Sequence, residues 1–177
     1  MMKGRKTVAA LILLLAAVAM AAAATPQSQP RVTSDVHAEA GDFSLLAGVD
    51  LGLWGIGITG GAELILQKFN IPGFPLSLGA MGLASVRFST DLHLEAAGIA
   101  TLHWGLKPYL DLPEFFRNFD WYAGLGLGIS ILPHFGIGLA SGGGVSYYVS
   151  DKFAIELRSF YVTTGHYSSS IGVRLEM

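Results

Sequence analysis

The sequence predicts an all-β protein, a closed antiparallel up-and-down transmembrane β-barrel of about eight strands, formed after a signal peptide is cleaved. Three observations predict this fold. Apolar residues alternate with small or polar residues along eight segments, which is the period of β-strands. The chain is 51% hydrophobic and 14% charged, with 23 glycines, whereas soluble domains carry about a quarter charged residues. The N-terminus has the layout of an export signal.

The first residues predict secretion. Lys3, Arg5 and Lys6 precede an apolar run over residues 8–19 and an alanine stretch over residues 21–24, which is the arrangement of a cleaved signal peptide. We therefore expect a signal peptide over 1–24, a periplasmic N-terminal extension over 25–41 and the barrel over 42–177.

Composition excludes several kinds of site. The chain has no cysteine, which excludes disulfides, thiolate metal sites and a lipid-modified N-terminal cysteine. After residue 24 there are 8 basic and 13 acidic residues, a net charge of −5, so no basic patch favours nucleic acid. We expect no cofactor and no bound metal.

The charge-free stretch from Trp121 to Ser150 is long enough to be a membrane helix. It contains eight glycines and a proline, and each glycine costs about 1 kcal/mol in a helix interior. Several of the glycines occupy alternate positions, which suits a strand instead.

Eight segments have the length and alternation of membrane strands. In the second, Thr59, Glu63 and Gln67 share the more polar face. The segments cover 42–53, 58–68, 76–88, 92–104, 121–132, 137–149, 153–163 and 167–177.

The two faces of the segments decide between a soluble and a membrane barrel. The less apolar face is mostly Gly, Ser, Ala and Thr with few charges, which suits the crowded interior of an eight-stranded barrel better than a soluble exterior. A sheet in lipid must close, because open edges would leave backbone groups unpaired. An even number of strands permits closure.

The stretch from Tyr147 to Leu157 reads as a short hairpin, and the C-terminus alternates up to Leu175, Glu176 and Met177. In these features the chain resembles the small outer-membrane barrels typified by the OmpA transmembrane domain and OmpX. The resemblance implies location in a bacterial outer membrane, contact with its lipids and lipopolysaccharide, and insertion by the barrel-assembly machinery. Family members generally end on an aromatic residue, whereas this chain ends on Met177. The oligomeric state is left open.

Periplasmic termini, as in that family, would make all the outer connections short and put the longest connection, 105–120, on the periplasmic side. Two explanations stay open: the strand count near this connection is wrong, or the barrel exposes little to the outside. Aromatic residues near strand ends are expected to form interfacial girdles. They are Trp54, Phe69, Phe74, Phe88, Trp104, Trp121, Tyr147, Tyr148 and Phe153.

Charged residues on the inward face are expected to form a structural ion-pair network in the lumen, since an unpaired charge there would be costly. A narrow ion or solute path is the alternative. His93 and His103 lie about 34 Å apart along one strand, too far to share a metal ion with Glu95. The predicted network consists of Asp50, Glu63, Arg87, Glu95, Glu156, Arg158, Arg174 and Glu176.

His166 and Ser168 form a His-x-Ser pair, in which a histidine could activate a serine. The pair is similar to that of outer-membrane lipid A deacylases, but Glu176, the acid that would orient His166, is about 27 Å along the strand from Ser168. We therefore predict a non-enzymatic barrel with a structural, envelope-integrity or narrow porin-like role. The alternatives are a deacylase-like enzyme using His166 and Ser168, and a surface binding or adhesion barrel.

Overall fold

The computed structural model describes residues 33, 35–52, 55–71, 73–165 and 167–177. The predicted signal peptide over 1–24 and most of the predicted extension lie outside these residues, as do Trp54 and His166.

Within the described residues the chain forms eight strands, each antiparallel to its neighbours, in a closed up-and-down barrel whose last strand pairs with the first. The predicted fold class is confirmed. The strands are β1 (Phe43–Gly52), β2 (Gly55–Ile71), β3 (Phe74–Phe88), β4 (Leu92–Gly105), β5 (Phe119–Leu132), β6 (Gly136–Ser150), β7 (Phe153–Val162) and β8 (Tyr167–Glu176), and a short helix, α1 (Glu114–Arg117), lies between β4 and β5.

The barrel has two ends, which we name from the chain termini. The proximal end carries the start of β1 and the end of β8, and the connection between β4 and β5 lies there too. The distal end carries the connections after β1, β3, β5 and β7, which are all short. The predicted strand count holds through the 105–120 region, so the first of the two explanations is wrong.

One inward assignment on β2 is wrong. The pairing of β2 with β3 shifts register between Ile65 and Gln67: Ile65 pairs with Gly79 and Gln67 with Leu78, so β2 carries one more residue than β3 at this point. A bulge of this kind reverses the faces beyond it. Gln67 is therefore exposed on the outside instead of facing the lumen.

The outer wall is apolar. On β5, Leu125 and Leu127 are 74% and 64% exposed and point away from the lumen. From Trp121 to Ile131 the outward residues span ten steps, which at about 3.4 Å per step and a tilt of about 40° gives a height of about 26 Å. That height matches the apolar band of about 25 Å on membrane barrels. Among the described helices, none is long and apolar enough to cross a membrane.

Glycine is required at points of the inward face where strands approach closely. A β-carbon on Gly126 would lie 2.0 Å from the carbonyl oxygen of Gly98, and one on Gly172 would lie 2.1 Å from that of Ala47. Both distances are shorter than any tolerated contact. The alternate glycines seen in the sequence thus permit the tight wall of a small barrel.

Candidate functional site

The lumen is the candidate functional site, because it gathers most of the buried polar residues in the part of the chain that the structure describes. Its inward side chains form three layers along the barrel axis. On β4, His103 lies in the proximal layer, Ile99 in the middle layer and Glu95 in the distal layer, each buried and on the same face.

The proximal layer is a polar cluster centred on Arg174, which is 1% exposed. Its Nη1 atom lies 2.5 Å from an Oε2 atom of Glu63, and its Nε atom lies 3.2 Å from Oε2 of Glu156. One guanidinium thus joins carboxylates from β2 and β7. We call this group the proximal cluster; it consists of Glu63, Thr101, His103, Asp120, Tyr122, Glu156, Arg158 and Arg174.

His103 lies between two carboxylates of the proximal cluster. Its Nδ1 atom is 2.7 Å from Oδ2 of Asp120, and its Nε2 atom is 2.9 Å from Oε1 of Glu63. A neutral imidazole has one donor and one acceptor nitrogen, whereas the imidazolium donates from both. The geometry therefore favours a charged ring that hydrogen-bonds both carboxylates.

The rest of the proximal cluster surrounds Glu156. The Tyr122 hydroxyl donates to Oε1 of Glu156, and Nη1 of Arg158 lies 3.4 Å from the same atom. The Arg174 guanidinium also lies over the Tyr122 ring, 5.4 Å from its centroid. With His103 charged, three cations balance three carboxylates among the described residues of the cluster, as a buried network requires.

The middle layer is apolar and separates the two polar layers. Phe160 and Met81 are each 2% exposed. On β3 the layer lies between Ser77 at the proximal side and Ser85 at the distal side. We call it the apolar layer; it consists of Leu46, Met81, Leu83, Ile99, Ala140, Phe160 and Val162, and the Tyr122 ring of the proximal cluster packs against it.

The distal layer is polar again. Asp50 is fully buried and accepts hydrogen bonds from the hydroxyls of Thr59 at 2.6 Å and Ser85 at 2.7 Å. An Nη2 atom of Arg87 lies 4.0 Å from Asp50. On β4, Glu95 is paired in register with Ser85. We call the group the distal cluster; it consists of Asp50, Thr59, Ser85, Arg87, His93 and Glu95.

The proximal mouth is covered by residues 35–42, which we call the strap. The Ser77 hydroxyl on β3 donates to the carbonyl of Ala38 at 2.6 Å. Towards the other side of the ring, the His37 imidazole stacks on Tyr148 of β6 at 4.0 Å. Val36, His37 and Ala38 are buried as a result. The strap therefore crosses the mouth rather than hanging free.

His37 is held in the strap as a buried neutral ring. Burial lowers its pKa, and the nearby Lys107 acts in the same direction, while the hydrogen bond with the Arg117 carbonyl and the charges of Asp120 and Asp35 oppose it. Its Nε2 atom lies 3.0 Å from the Arg117 carbonyl oxygen. Because a carbonyl only accepts, Nε2 carries the proton in this contact.

The structure divides the predicted network residues between the two ends. It places Glu63, Glu156, Arg158 and Arg174 in the proximal cluster and Asp50, Arg87 and Glu95 in the distal cluster. Glu176 lies at the proximal rim, where its N–H donates to the Lys152 carbonyl.

The predicted His-x-Ser pair lies only partly within the described residues, since His166 is outside them. Ser168 is 2% exposed and points into the lumen, away from the outer wall. Glu176 ends the same strand at the opposite end of the barrel. His93 and His103 fall in different clusters. Among the described residues, no group of three or more His, Asp or Glu side chains is arranged to hold a metal ion.

The strand segments predicted from the sequence miss or misplace several residues of the site. They leave Asp120 in a connection, yet β5 begins at Phe119; alternation extended back from Gly124 puts both Tyr122 and Asp120 on the inward face. The sequence analysis places Tyr148 in the aromatic girdle, whereas this residue is buried under the strap. Tyr148 lies two residues from Ser146, so the period of two puts both on the inward face, and this is the signal that identifies Tyr148 as a lumen residue.

No family model and no curated protein sequence matches the chain. The solved N-terminal β-barrel domain of Pseudomonas aeruginosa OprF is similar with a TM-score of 0.52 at 14% identity, over 78% of this chain and 98% of that domain. The fold is that of the small outer-membrane barrels. Ail, the attachment invasion locus protein of Yersinia pestis, shares it with a TM-score of 0.50 at 13% identity, over 78% of this chain and 99% of its own. The resemblance seen in the sequence is thus confirmed at the level of fold.

Proposed function

We propose that this protein is a non-enzymatic outer-membrane barrel with a closed lumen, and that it stabilises the cell envelope instead of passing solutes. The observation that carries the proposal is the apolar layer. It packs large side chains such as Phe160 and Met81 across the lumen between two polar clusters. An eight-stranded barrel has an interior just wide enough for side chains to fill, and a hydrated ion would have to displace this layer to pass.

The location in the proposal is supported by the outer wall and the shared fold. The apolar band is about 26 Å high by the strand geometry, which fits a bilayer core. Periplasmic termini would place the strap and the long β4–β5 connection on the periplasmic side. The ion-pair network, in this proposal, holds the strands together from inside.

The two alternatives have less support in the structure. A deacylase would need Ser168 to reach lipid, whereas its side chain is buried towards the lumen. An adhesion barrel would need a large outer surface, whereas the distal connections between described strands are short.

Planar-bilayer conductance of the purified full chain tests the proposal. Insertion is verified on the same sample by the mobility shift between heated and unheated protein on a gel. We expect inserted protein without discrete channel events. Discrete, reproducible openings from inserted protein would replace the structural role with the porin-like one, and recovery of the protein in the soluble periplasmic fraction would overturn the location.

A further inference from the structure

The connection between β4 and β5, residues 106–118, has two chemically different sides. Its inner side holds the strap and Thr33, which lies two residues before the strap. The Thr33 N–H donates to the Pro108 carbonyl at 2.9 Å, and Nζ of Lys107 lies 3.1 Å from Oδ1 of Asp35. The Arg117 carbonyl also accepts a hydrogen bond from the His37 imidazole of the strap.

The outer side of the connection follows the outside of the barrel. The Trp104 indole donates to the Tyr109 hydroxyl at 3.1 Å, and that hydroxyl donates to the Gly73 carbonyl at 3.1 Å. Further along, the ring of Phe115 packs against the rings of Phe119 and Tyr147, with centroids 5.5 Å and 5.4 Å apart. Trp104, Phe119 and Tyr147 face outward, because their neighbours His103, Asp120 and Tyr148 face the lumen. The outer side is therefore continuous with the apolar wall.

Large apolar side chains of this connection are exposed. Phe115 is 57% exposed and Phe116 is 49% exposed, and their rings pack edge to face with centroids 5.4 Å apart, while Leu110 and Leu112 are 39% and 36% exposed. A contiguous exposed apolar patch, such as Phe115 and Phe116 form with the outer wall, marks a contact surface. Its continuity with the lipid-facing wall identifies the contact as lipid.

The depth of the patch fits the headgroup layer. Trp104 and Trp121 are paired across β4 and β5, and tryptophan concentrates at membrane interfaces. Phe119 is two residues beyond Trp121, about 7 Å along the strand and about 5 Å along the membrane normal at a tilt of about 40°. The headgroup region is about 5 to 8 Å thick on each side, so Phe115, which packs on Phe119, falls within it.

Charge does not drive this contact. The connection carries two basic residues, Lys107 and Arg117, and two acidic ones, Asp111 and Glu114, so it has no net attraction for anionic headgroups. The free energy of binding to lipid then comes from burial of aromatic and aliphatic side chains at the boundary of headgroups and acyl chains.

We infer that residues 106–118 form an amphipathic anchor that inserts Phe115 and Phe116 into the phospholipid leaflet at the proximal end while its inner side holds the strap over the mouth. The inference rests on the proposed membrane location, and it adds a second attachment of the barrel to lipid beyond the strands. It also gives the longest connection a role on the side where short turns would suffice.

Single-cysteine spin labelling of the full chain tests the inference, because the natural sequence has no cysteine. The variants are Phe116→Cys, Leu127→Cys on the outer wall and Asp151→Cys in the exposed β6–β7 turn at the same end. Each is reconstituted in phosphatidylcholine vesicles, with and without phosphatidylglycerol. The label's accessibility to oxygen and to a water-soluble nickel chelate is then measured by electron paramagnetic resonance.

We expect the Phe116→Cys label to be several-fold less accessible to the nickel chelate than the Asp151→Cys label, in both kinds of vesicle. If Leu127→Cys is protected but Phe116→Cys is as accessible as Asp151→Cys, the anchor is refuted and the membrane location stands. If Leu127→Cys is itself accessible, the proposed location fails. Protection of Phe116→Cys only with phosphatidylglycerol, or spin–spin broadening between copies, would replace the anchor with an electrostatic or a copy-to-copy contact.

Discussion

Replacing Arg174 by leucine removes the cation that joins two lumen carboxylates. Glu63 would lose a contact of 2.5 Å and Glu156 one of 3.2 Å, in a site where each of the three residues is 1% exposed. Glu63 would keep His103, and Glu156 would keep Arg158 and the Tyr122 hydroxyl. The cluster would nevertheless gain a net negative charge. Removing one partner of a buried ion pair typically costs about 3 to 5 kcal/mol, and we expect Arg174→Leu to fall in this range.

The assay is equilibrium unfolding in urea of barrels refolded into lipid vesicles, followed by the mobility difference between folded and unfolded protein on unheated gels. Lys68→Met is the control, because Lys68 pairs with Glu39 at the proximal rim, where the two side chains are 13% and 45% exposed and the pair is open to solvent on the Glu39 side. Pairs that solvent reaches contribute about 0 to 1 kcal/mol. The two variants should therefore differ by at least about 2 kcal/mol in free energy of unfolding.

A third variant separates lost charge from lost volume. Arg174→Leu combined with Glu63→Gln leaves His103 and Arg158 against Asp120 and Glu156, so the charges of the cluster balance again while the altered shape is kept. Because neutral replacement within a buried network is often tolerated, this double variant should recover part of the lost stability. If Arg174→Leu costs less than about 1 kcal/mol, or if the double variant is less stable than the single one, the network is not the stabilising element that the contacts indicate.

Three further outcomes are expected. Leu127→Arg places a charge near the middle of the outer wall and should cost about 2 to 4 kcal/mol in the same unfolding assay, whereas Leu127→Ala should be milder; equal effects would contradict the outward assignment. Phe160→Ala empties the centre of the apolar layer and should cost about 3 to 5 kcal/mol; a cost below about 1 kcal/mol would show that the layer is loosely packed. Because burial lowers the pKa of His37 below its ordinary value of 6.5, strap docking should be full above that pH and weaken as the pH falls below it. The measurement is the protection factor of the Val36 amide, its exchange rate relative to an unstructured amide at the same pH, which should fall. His37→Phe should abolish this pH dependence, and its persistence would assign the effect to another group.

The sequence predicts which side chains of a strand face the lumen, because side chains alternate along a strand and one correctly assigned residue fixes the orientation of the others. On β8, Ser168, Ser170 and Arg174 all lie on the face that their period of two indicates. The rule fails only where the pairing itself changes. The bulge at Ile65 and Gln67 depends on how β2 pairs with β3, and nothing in the β2 sequence alone marks that position.

The partners within the lumen were not predictable from alternation. Alternation indicates that Glu63 and Arg174 both face inward, but they lie on β2 and β8, which are not neighbours. Whether they meet depends on the stagger and tilt of the strands, which set the height of each residue along the axis. The same holds for Glu63 on β2 and His103 on β4, whose contact reaches across β3.

The closed proximal mouth and the ion-pair network depend on the same physical condition. Attraction between charges is several times stronger in a water-excluded interior than in water, and His103 and Asp120 are inward residues near the proximal end of their strands. The strap covers this end with Val36, His37 and Ala38. The apolar layer excludes water from the other side of the cluster. The strap and the apolar layer together enclose the proximal cluster, so its charges must be paired within the barrel. This pairing holds the strands that carry the charged residues in one register.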